Sequence, residues 1–172
     1  KTCRIPNKEV RQEWFNAIEG NDDYAVTTEI IQASKELLAK TFSGDADAVA
    51  KALDISHIHV TSNRSYNNED AFQSAIYLAY IYALNKYMVV KEMTTGKGFA
   101  DVVFVPYKEG DPAMVIELKR NSSAESAIDQ IRNKQYYDSL EHYTGDLLFV
   151  GINYDEKDKT HTCAIERFEK QA

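Results

Sequence analysis

The sequence has little of what marks secreted and metal-cysteine proteins. Only two cysteines occur, Cys3 and Cys163, and they are too few and too far apart for a disulfide framework or a cysteine zinc site. The first residues are polar and charged, so the start of the chain does not look like a signal peptide. We therefore expect the protein to be cytoplasmic, in a reducing environment.

Long hydrophobic runs and net positive charge are also missing. The longest apolar run, AIYLAYIYALNKYMVV from Ala75, is interrupted by Asn85 and Lys86 and is too short to span a bilayer. It is typical of a buried helix followed by a strand, and we expect no membrane partner. The formal net charge of −7 argues against nonspecific attraction to nucleic acid, although it leaves room for a local basic groove.

The length and the apolar content of the chain are sufficient for one main domain. The 172 residues are 44% hydrophobic, which is enough to bury a sizeable core. The chain begins at Lys1 without a methionine, and we expect it to be a piece of a longer polypeptide. The change of pattern along the chain predicts a helical segment or connector at residues 1–62 and a core domain at residues 63–172.

The N-terminal third has helical periodicity. Apolar residues recur at helical spacing in stretches 7–20, 23–42 and 46–53, a pattern typical of helices that face a core. His57 and His59 would share one face if SHIHV were extended, which would suit a metal pair. Because no third ligand is nearby, packing or surface histidines are the favoured interpretation.

The pattern changes after the polar stretch TSNRSYNNED. An apolar helix is predicted at residues 68–87, and a second helix from about Ser122 to Tyr143. Turn sequences separate three predicted strands, and two more follow the second helix: YMVVKEM, FADVVFVP, AMVIELKR, DLLFVGINY and, with weaker support, THTCAIERF. The predicted fold class is α/β, with a helix, three strands, a helix and one or two strands.

Charged residues stand on two of these strands. Residues two apart in a strand share a face, so Glu117 and Lys119 project together, and Asp101 joins them if the YKEGDP turn makes a hairpin. Two carboxylates repel unless a cation lies between them, and Mg²⁺, or Mn²⁺, accepts such oxygen ligands. The carbonyl of Leu118 is a further candidate donor.

A lysine beside such a cation completes the requirement for metal-assisted phosphodiester hydrolysis. It can orient or deprotonate the attacking water, or stabilise charge on phosphate. The plainer interpretation is that Glu117 and Lys119 form a solvated ion pair. Asp101 would then be an edge charge that guards against aggregation.

The order of elements and the placement of these residues resemble the PD-(D/E)XK nuclease superfamily, with an acid on the second strand and Glu-x-Lys on the third. More narrowly, the chain is similar to the nuclease domain at the C-terminal end of bacterial proteins that join it to an AAA-type ATPase-like domain. The resemblance implies a restriction-endonuclease-like core at residues 63–172, a mixed sheet flanked by helices. It rests on the segments IPNKEVRQEW, EDAFQSAIYLAYIYAL, KEMTTGKGFADVVFVP, VIELKR and AIDQIRNKQYY.

The resemblance also implies roles. Asp101 and Glu117 become metal ligands, and Lys119 becomes the residue that positions or activates water. Glu69 binds the metal through water or acts as a second acid, unless it only favours the helix dipole as a first-turn acid. Gln130 orients Lys119 or the water, unless it is a polar residue on the helix shoulder.

A path for nucleic acid is the least defined expectation. The candidate residues for this path are Lys97, Arg120, Arg132, Lys134 and Tyr136. The alternative interpretation is that the basic residues are ordinary exposed charges and that the tyrosine packs on the sheet.

The chain departs from the family pattern twice. Gln73 stands where the family often has histidine, and Phe99 stands where an arginine often precedes the aspartate by two residues. Loss of that arginine weakens phosphate contact while leaving the metal ligands in place.

Two functions are therefore compared. The first is a Mg²⁺-dependent nuclease domain that works with an ATPase-like domain of the same polypeptide, with DNA favoured over RNA and a homodimer as a family expectation. The second is a catalytically inactive module of the same fold that binds nucleic acid or a protein partner, which the acidic net charge and the missing arginine favour. A purely structural helical adaptor would leave the charged hairpin without a reason.

Overall fold

The computed structural model describes residues 25–60, 69–95, 98–108, 110–134, 140 and 143–168, with side chains except at 25–27, 57–60, 69–71 and 91–100. The helix predicted at residues 7–20 and the predicted domain boundary at 62/63 lie outside these residues, as do Lys97 and Tyr136. Within the described ranges, no helix combines the length and the apolar character needed to cross a membrane.

Two helices open the described part of the chain, α1 at Ala25–Ser43 and α2 at Ala46–Val60. Gly44 makes the break between them with a φ of 73°, a conformation that favours glycine. The stretch SHIHV is helical here. The extended geometry considered for the two histidines is therefore wrong, and residues two apart in a helix do not share a face.

The third helix, α3 at Glu69–Ala79, is shorter than predicted. A 3₁₀ turn at Ile81–Asn85 follows it, so the prediction of one helix to residue 87 is wrong at its C-terminal end. Two side chains of α1 explain the change. Thr41 Oγ1 lies 2.8 Å from the hydroxyl of the buried Tyr80, and Ser34 Oγ accepts a bond from the Tyr82 N–H at 2.9 Å. These contacts satisfy polar groups at the point where the α-helix stops.

Five strands form one sheet in the order β1-β2-β3-β4-β5. Neighbouring strands are antiparallel except β3 and β4, which are parallel. The α/β fold with a mixed sheet flanked by helices is therefore confirmed, and both optional strands are present. Their bounds are β1 Tyr87–Thr95, β2 Gly98–Pro106, β3 Ala113–Arg120, β4 Leu147–Asp155 and β5 Thr160–Phe168.

The crossover between the parallel strands contains helix α4, at Ala124–Asn133. Ser123 caps its start, because the hydroxyl oxygen accepts the Ser126 N–H at 3.0 Å. The predicted end near Tyr143 is wrong. By that point the tyrosine hydroxyl donates to the carbonyl of Asp111, and the chain is returning to the sheet to begin β4.

The sheet has two buried faces. We call the side covered by α1, α2 and α3 the three-helix face, and the side covered by α4 the α4 face. Alternate strand residues point to each. Those on the three-helix face include Val102, Phe104, Met114, Ile116, Val150 and Ile152. Those on the α4 face include Val103, Val115 and Phe149, packed against Ile128 and Ile131 of the helix.

Candidate metal centre

Charged residues replace apolar ones on the α4 face toward the C-terminal end of β3. Val115 is the last apolar residue of the strand on this face, and Glu117 and Lys119 continue the same alternation. Glu117 is only 2% exposed. Its Oε1 lies 3.1 Å from Lys119 Nζ, within an ion pair that is much more buried on the acid side.

Gln130 of α4 joins both charged groups. Its Nε2 donates to Glu117 Oε1, and its Oε1 accepts from Lys119 Nζ at 2.5 Å. The helix can approach this closely because Gly151 is the neighbour of Glu117 on β4. A Cβ at Gly151 would collide with the carbonyl oxygen of Ala124 at the start of the helix. A glycine inside a strand often marks such a close approach.

Asp101 lies beside Glu117 on the neighbouring strand. The register pairs Val102 with Ile116, so the next positions outward are Asp101 and Glu117. The alternation of β2 puts Asp101 on the α4 face, like Val103. Its Oδ2 accepts the Leu118 N–H at 2.7 Å, which fixes the orientation of the carboxylate. The structure therefore brings Asp101, Glu117 and Lys119 together on one face.

The electrostatics of Glu117 are unusual. Burial raises its pKa from 4.5 to about 7, and the charge of Asp101 acts in the same direction. The hydrogen bond from Lys119 and the charges of Lys119 and Lys134 act in the opposite direction without cancelling the rise. Among the described residues, Glu117 Oε2 is buried without a hydrogen-bond partner. A buried carboxylate in this state is costly unless a cation binds it.

The available donors fit a hard divalent cation. Asp101 and Glu117 supply carboxylate oxygens, and the backbone of Leu118 supplies a carbonyl. Because the N–H and C=O of one strand residue face the same neighbouring strand, the Leu118 N–H bond to Asp101 implies that its carbonyl also faces β2. The residues with described positions contain no cluster of three or more His, Cys, Asp or Glu, so waters would complete the coordination, as is usual for Mg²⁺.

The start of α3 lies against the same place. Gln73 donates from Nε2 to the carbonyl of Asp101 at 3.0 Å. Glu69, one helical turn earlier, is the first residue of α3, and its side chain lies outside what the structure describes. On the other neighbouring strand, β1, Lys91 pairs with Val102 and Met93 pairs with Ala100, so Glu92 is opposite Asp101 in the register.

The basic residues predicted to bind nucleic acid are separated by the fold. Lys134 follows Gln130 by one helical turn, and its charge acts on Glu117. Arg120 follows Lys119 and so belongs to the opposite face, where it pairs with Glu156. Arg132 pairs with Glu166 of β5 at 2.5 Å. Of these three residues, only Lys134 is brought to the candidate metal centre.

Sequence reasoning missed two residues that shape the centre. Gly151 could have been found, since a glycine within an otherwise apolar strand signals close packing. Asn153 accepts the Ser122 N–H at 2.9 Å and is buried next to Lys119 in the β3–β4 register. Nothing in its local sequence distinguishes it from an exposed asparagine.

Comparison with known families gives a match over much of the chain. Residues 67–163, more than half of the chain, match the PD-(D/E)XK nuclease superfamily. The matched segment includes Asp101, Glu117, Lys119 and Gln130. A search of the curated proteins gives no match. The family match confirms the superfamily resemblance inferred from the sequence and the restriction-endonuclease-like character of the fold.

Proposed function

Because the chain belongs to the PD-(D/E)XK nuclease superfamily, we propose that it is a metal-dependent nuclease domain that hydrolyses phosphodiester bonds of nucleic acid. The observation that carries the proposal is the buried carboxylate of Glu117, with a pKa raised to about 7, next to Asp101 and Lys119. A buried acid beside a second acid is an unfavourable arrangement that a divalent cation makes favourable.

The cation is Mg²⁺, with Mn²⁺ as the alternative, and its protein ligands are Asp101, Glu117 and the carbonyl of Leu118. When bound, the cation supplies positive charge for the phosphate and acidity for the attacking water. The proposal is supported by the unpartnered Oε2 of Glu117 among the described atoms. It is also supported by the hydrogen bond that orients Asp101.

Lys119 acts on the water or on the developing charge of the phosphate. Its ammonium group is restrained by Glu117 at 3.1 Å and by Gln130 at 2.5 Å, so it does not sample the many rotamers of a surface lysine. Gln130 is accordingly the residue that orients Lys119. Glu69 serves as a second acid or a water-mediated ligand, which its position one turn from Gln73 favours.

The nucleic acid contacts Lys134. This residue follows Gln130 by one turn, and its charge acts on Glu117 at the candidate metal centre. Lys97 and Tyr136 extend the proposed path, which rests on the family resemblance. Arg120 and Arg132 are left out of it, because they pair with Glu156 and Glu166 away from the centre. The same resemblance supports DNA over RNA, an ATPase-like domain in the same polypeptide and a homodimer. The low cysteine content supports a cytoplasmic location.

Metal binding tests the proposal directly. Titration calorimetry with Mg²⁺ and Mn²⁺ should give saturable binding to the wild type and none to Glu117→Gln. Glu125→Gln is the matched control, since Glu125 is an exposed acid on α4, and it should bind like the wild type. The proposal fails if the wild type binds neither cation.

Cleavage separates the proposal from its alternative, a catalytically inactive module of the same fold. Supercoiled, linear and single-stranded DNA, and RNA, should be tested with Mg²⁺ present and with Lys119→Ala as the control. The net charge of −7 and the phenylalanine at position 99 favour the alternative. It would be preferred if nucleic acid bound with measurable affinity and no substrate was cut at any Mg²⁺ or Mn²⁺ concentration.

A further inference from the structure

Gln73 makes a contact that links helix α3 to the backbone of a proposed metal ligand. Its Nε2 donates to the carbonyl oxygen of Asp101 at 3.0 Å, across 28 positions of sequence. A glutamine on a helix surface more often points into water than to a strand carbonyl. The partner here is the residue whose carboxylate lies beside Glu117.

The contact is held in place by the packing of the helix. Phe72, which precedes Gln73, and Ile76, which follows it by three positions, are both buried against the sheet. Because these two residues fix the rotation and depth of α3, they also fix the reach of Gln73. The Gln73 side chain therefore connects helix α3 to the backbone of β2 at a fixed position.

Asp101 is thereby held at two points. Its Oδ2 accepts the Leu118 N–H at 2.7 Å, and its carbonyl accepts the Gln73 amide. The pairs of the β2–β3 ladder end at Val102, so Asp101 lies just beyond them on the β3 side, while the β1–β2 ladder continues past it. On the β3 side, contacts outside the ladder decide where the carboxylate points.

We infer that Gln73 is a positioning residue for the candidate metal centre, which holds the Asp101 backbone so that the carboxylate is set beside Glu117. The inference rests on the proposed function, because it needs a cation at Asp101 and Glu117. Groups that orient a ligand without touching the metal typically contribute about 10- to 100-fold in metal affinity.

Calorimetric titration with Mn²⁺ tests this role without an activity assay. Gln73→Met keeps the length of the side chain and removes the donor, and it should weaken Mn²⁺ binding by about 10- to 100-fold. Gln73→His restores a ring N–H at similar reach and should regain most of the affinity. Gln32→Met is the matched control and should bind like the wild type. Gln32 is exposed on α1, and its amide donates to Glu36, one turn further along the same helix.

The melting temperature of each metal-free variant separates positioning from a purely structural role. Positioning predicts metal-free melting temperatures close to that of the wild type together with weaker Mn²⁺ binding by Gln73→Met. The inference is overturned if Gln73→Met binds Mn²⁺ like the wild type, or if Gln73→His loses as much affinity as Gln73→Met. A wild type that binds no Mn²⁺ would overturn the proposed function, and this inference with it.

Discussion

The two faces of the sheet are built from alternate residues of the same strands, and they differ in the polar groups they bury. On the three-helix face, the buried Thr41 pairs with the buried Tyr80, and the buried His161 pairs with Asp54, which is partly exposed. On the α4 face, the apolar cluster ends at Glu117, whose Oε2 has no hydrogen-bond partner among the described residues.

This difference separates stability from chemistry. Groups that satisfy each other contribute to folding, whereas a buried acid beside another acid is destabilising until something binds it. Ile116 and Glu117 are adjacent, both are buried, and they face opposite sides. Substitutions on the two faces should therefore have different consequences.

The largest effect is expected on the α4 face. Lys119→Ala should reduce the cleavage rate about 10²- to 10⁴-fold, because it removes the group proposed to position or activate water. Metal affinity should persist, since Lys119 is not a ligand. The stability of the variant and the wild type should be compared at pH 6, where Glu117 is largely neutral. The measurements are single-turnover cleavage and Mn²⁺ calorimetry.

Lys157→Ala is the control for this variant, because Lys157 is exposed in the turn between β4 and β5. It should cleave like the wild type. Full activity of Lys119→Ala would contradict the role assigned to the lysine.

On the three-helix face, Ile116→Ala should show the reverse pattern. The side chain is fully buried in the larger core, and its truncation should lower the free energy of unfolding by about 2–5 kcal/mol. Mn²⁺ affinity of the folded protein should hardly change, because the side chain does not face the acids. Urea unfolding and calorimetry measure the two quantities, and loss of metal binding without loss of stability would contradict the separation of the faces.

Gly151→Ala should affect both stability and chemistry, because it acts on the packing of α4 against the sheet. The added methyl would collide with the Ala124 carbonyl and lie 3.0 Å from the Ala127 Cβ. Forcing the helix outward should cost about 1–3 kcal/mol of stability. It should also slow cleavage, since α4 supplies Gln130. Unchanged melting temperature and cleavage rate would show that the helix tolerates the displacement.

The fold was largely predictable because its strands carry strong local patterns. The alternation in FADVVFVP and AMVIELKR and the turn between them predict the hairpin that the structure shows. The C-terminal ends of α3 and α4 were not predictable. α3 gives way to a 3₁₀ turn where Tyr80 contacts Thr41 of α1, and nothing in the local sequence indicates that contact.

The candidate site was likewise predictable only where the relations between its residues are local in sequence. Strand spacing predicts that Glu117 and Lys119 project together, because that relation is local. The contact between Gln73 and Asp101 depends on how α3 docks, so from the sequence Gln73 was only a departure from a family pattern. Gly151 falls between these cases, since its residue type signals close packing and only the structure identifies α4 as the neighbour.

The dependence on pH should have opposite signs on the two faces. Burial raises the pKa of Glu117 from 4.5 to about 7, so the folded state favours the neutral acid. Its contribution to stability should therefore decline, by at most roughly 3 kcal/mol, as pH rises from 4.5 to 7. Burial lowers the pKa of His161 below 6.5 although Asp54 opposes the shift, so its contribution should be lost as pH falls below 6.5.

Metal affinity should follow the ionisation of Glu117, because the cation needs the carboxylate. Below pH 7 the apparent Mn²⁺ affinity should fall by about tenfold per pH unit, and above pH 7 it should level off. Calorimetry from pH 5.5 to 8.5 measures the curve. A flat profile would contradict a ligand role for Glu117, whereas His161→Gln should leave the profile unchanged.

The smallest effect concerns two basic residues at the C-terminal end of α4. Lys134→Ala should weaken DNA binding modestly and lower the slope of log affinity against log salt by about 1, as expected for one lost phosphate contact. Arg132→Ala should change neither, because its guanidinium pairs with Glu166 at the β5 edge. Fluorescence anisotropy with EDTA present measures binding without cleavage. Equal losses for the two variants would mean that DNA also lies along the β5 edge. The α4 face would then have no clear boundary between a reactive end, near Glu117, and an end that only packs the helix on the sheet.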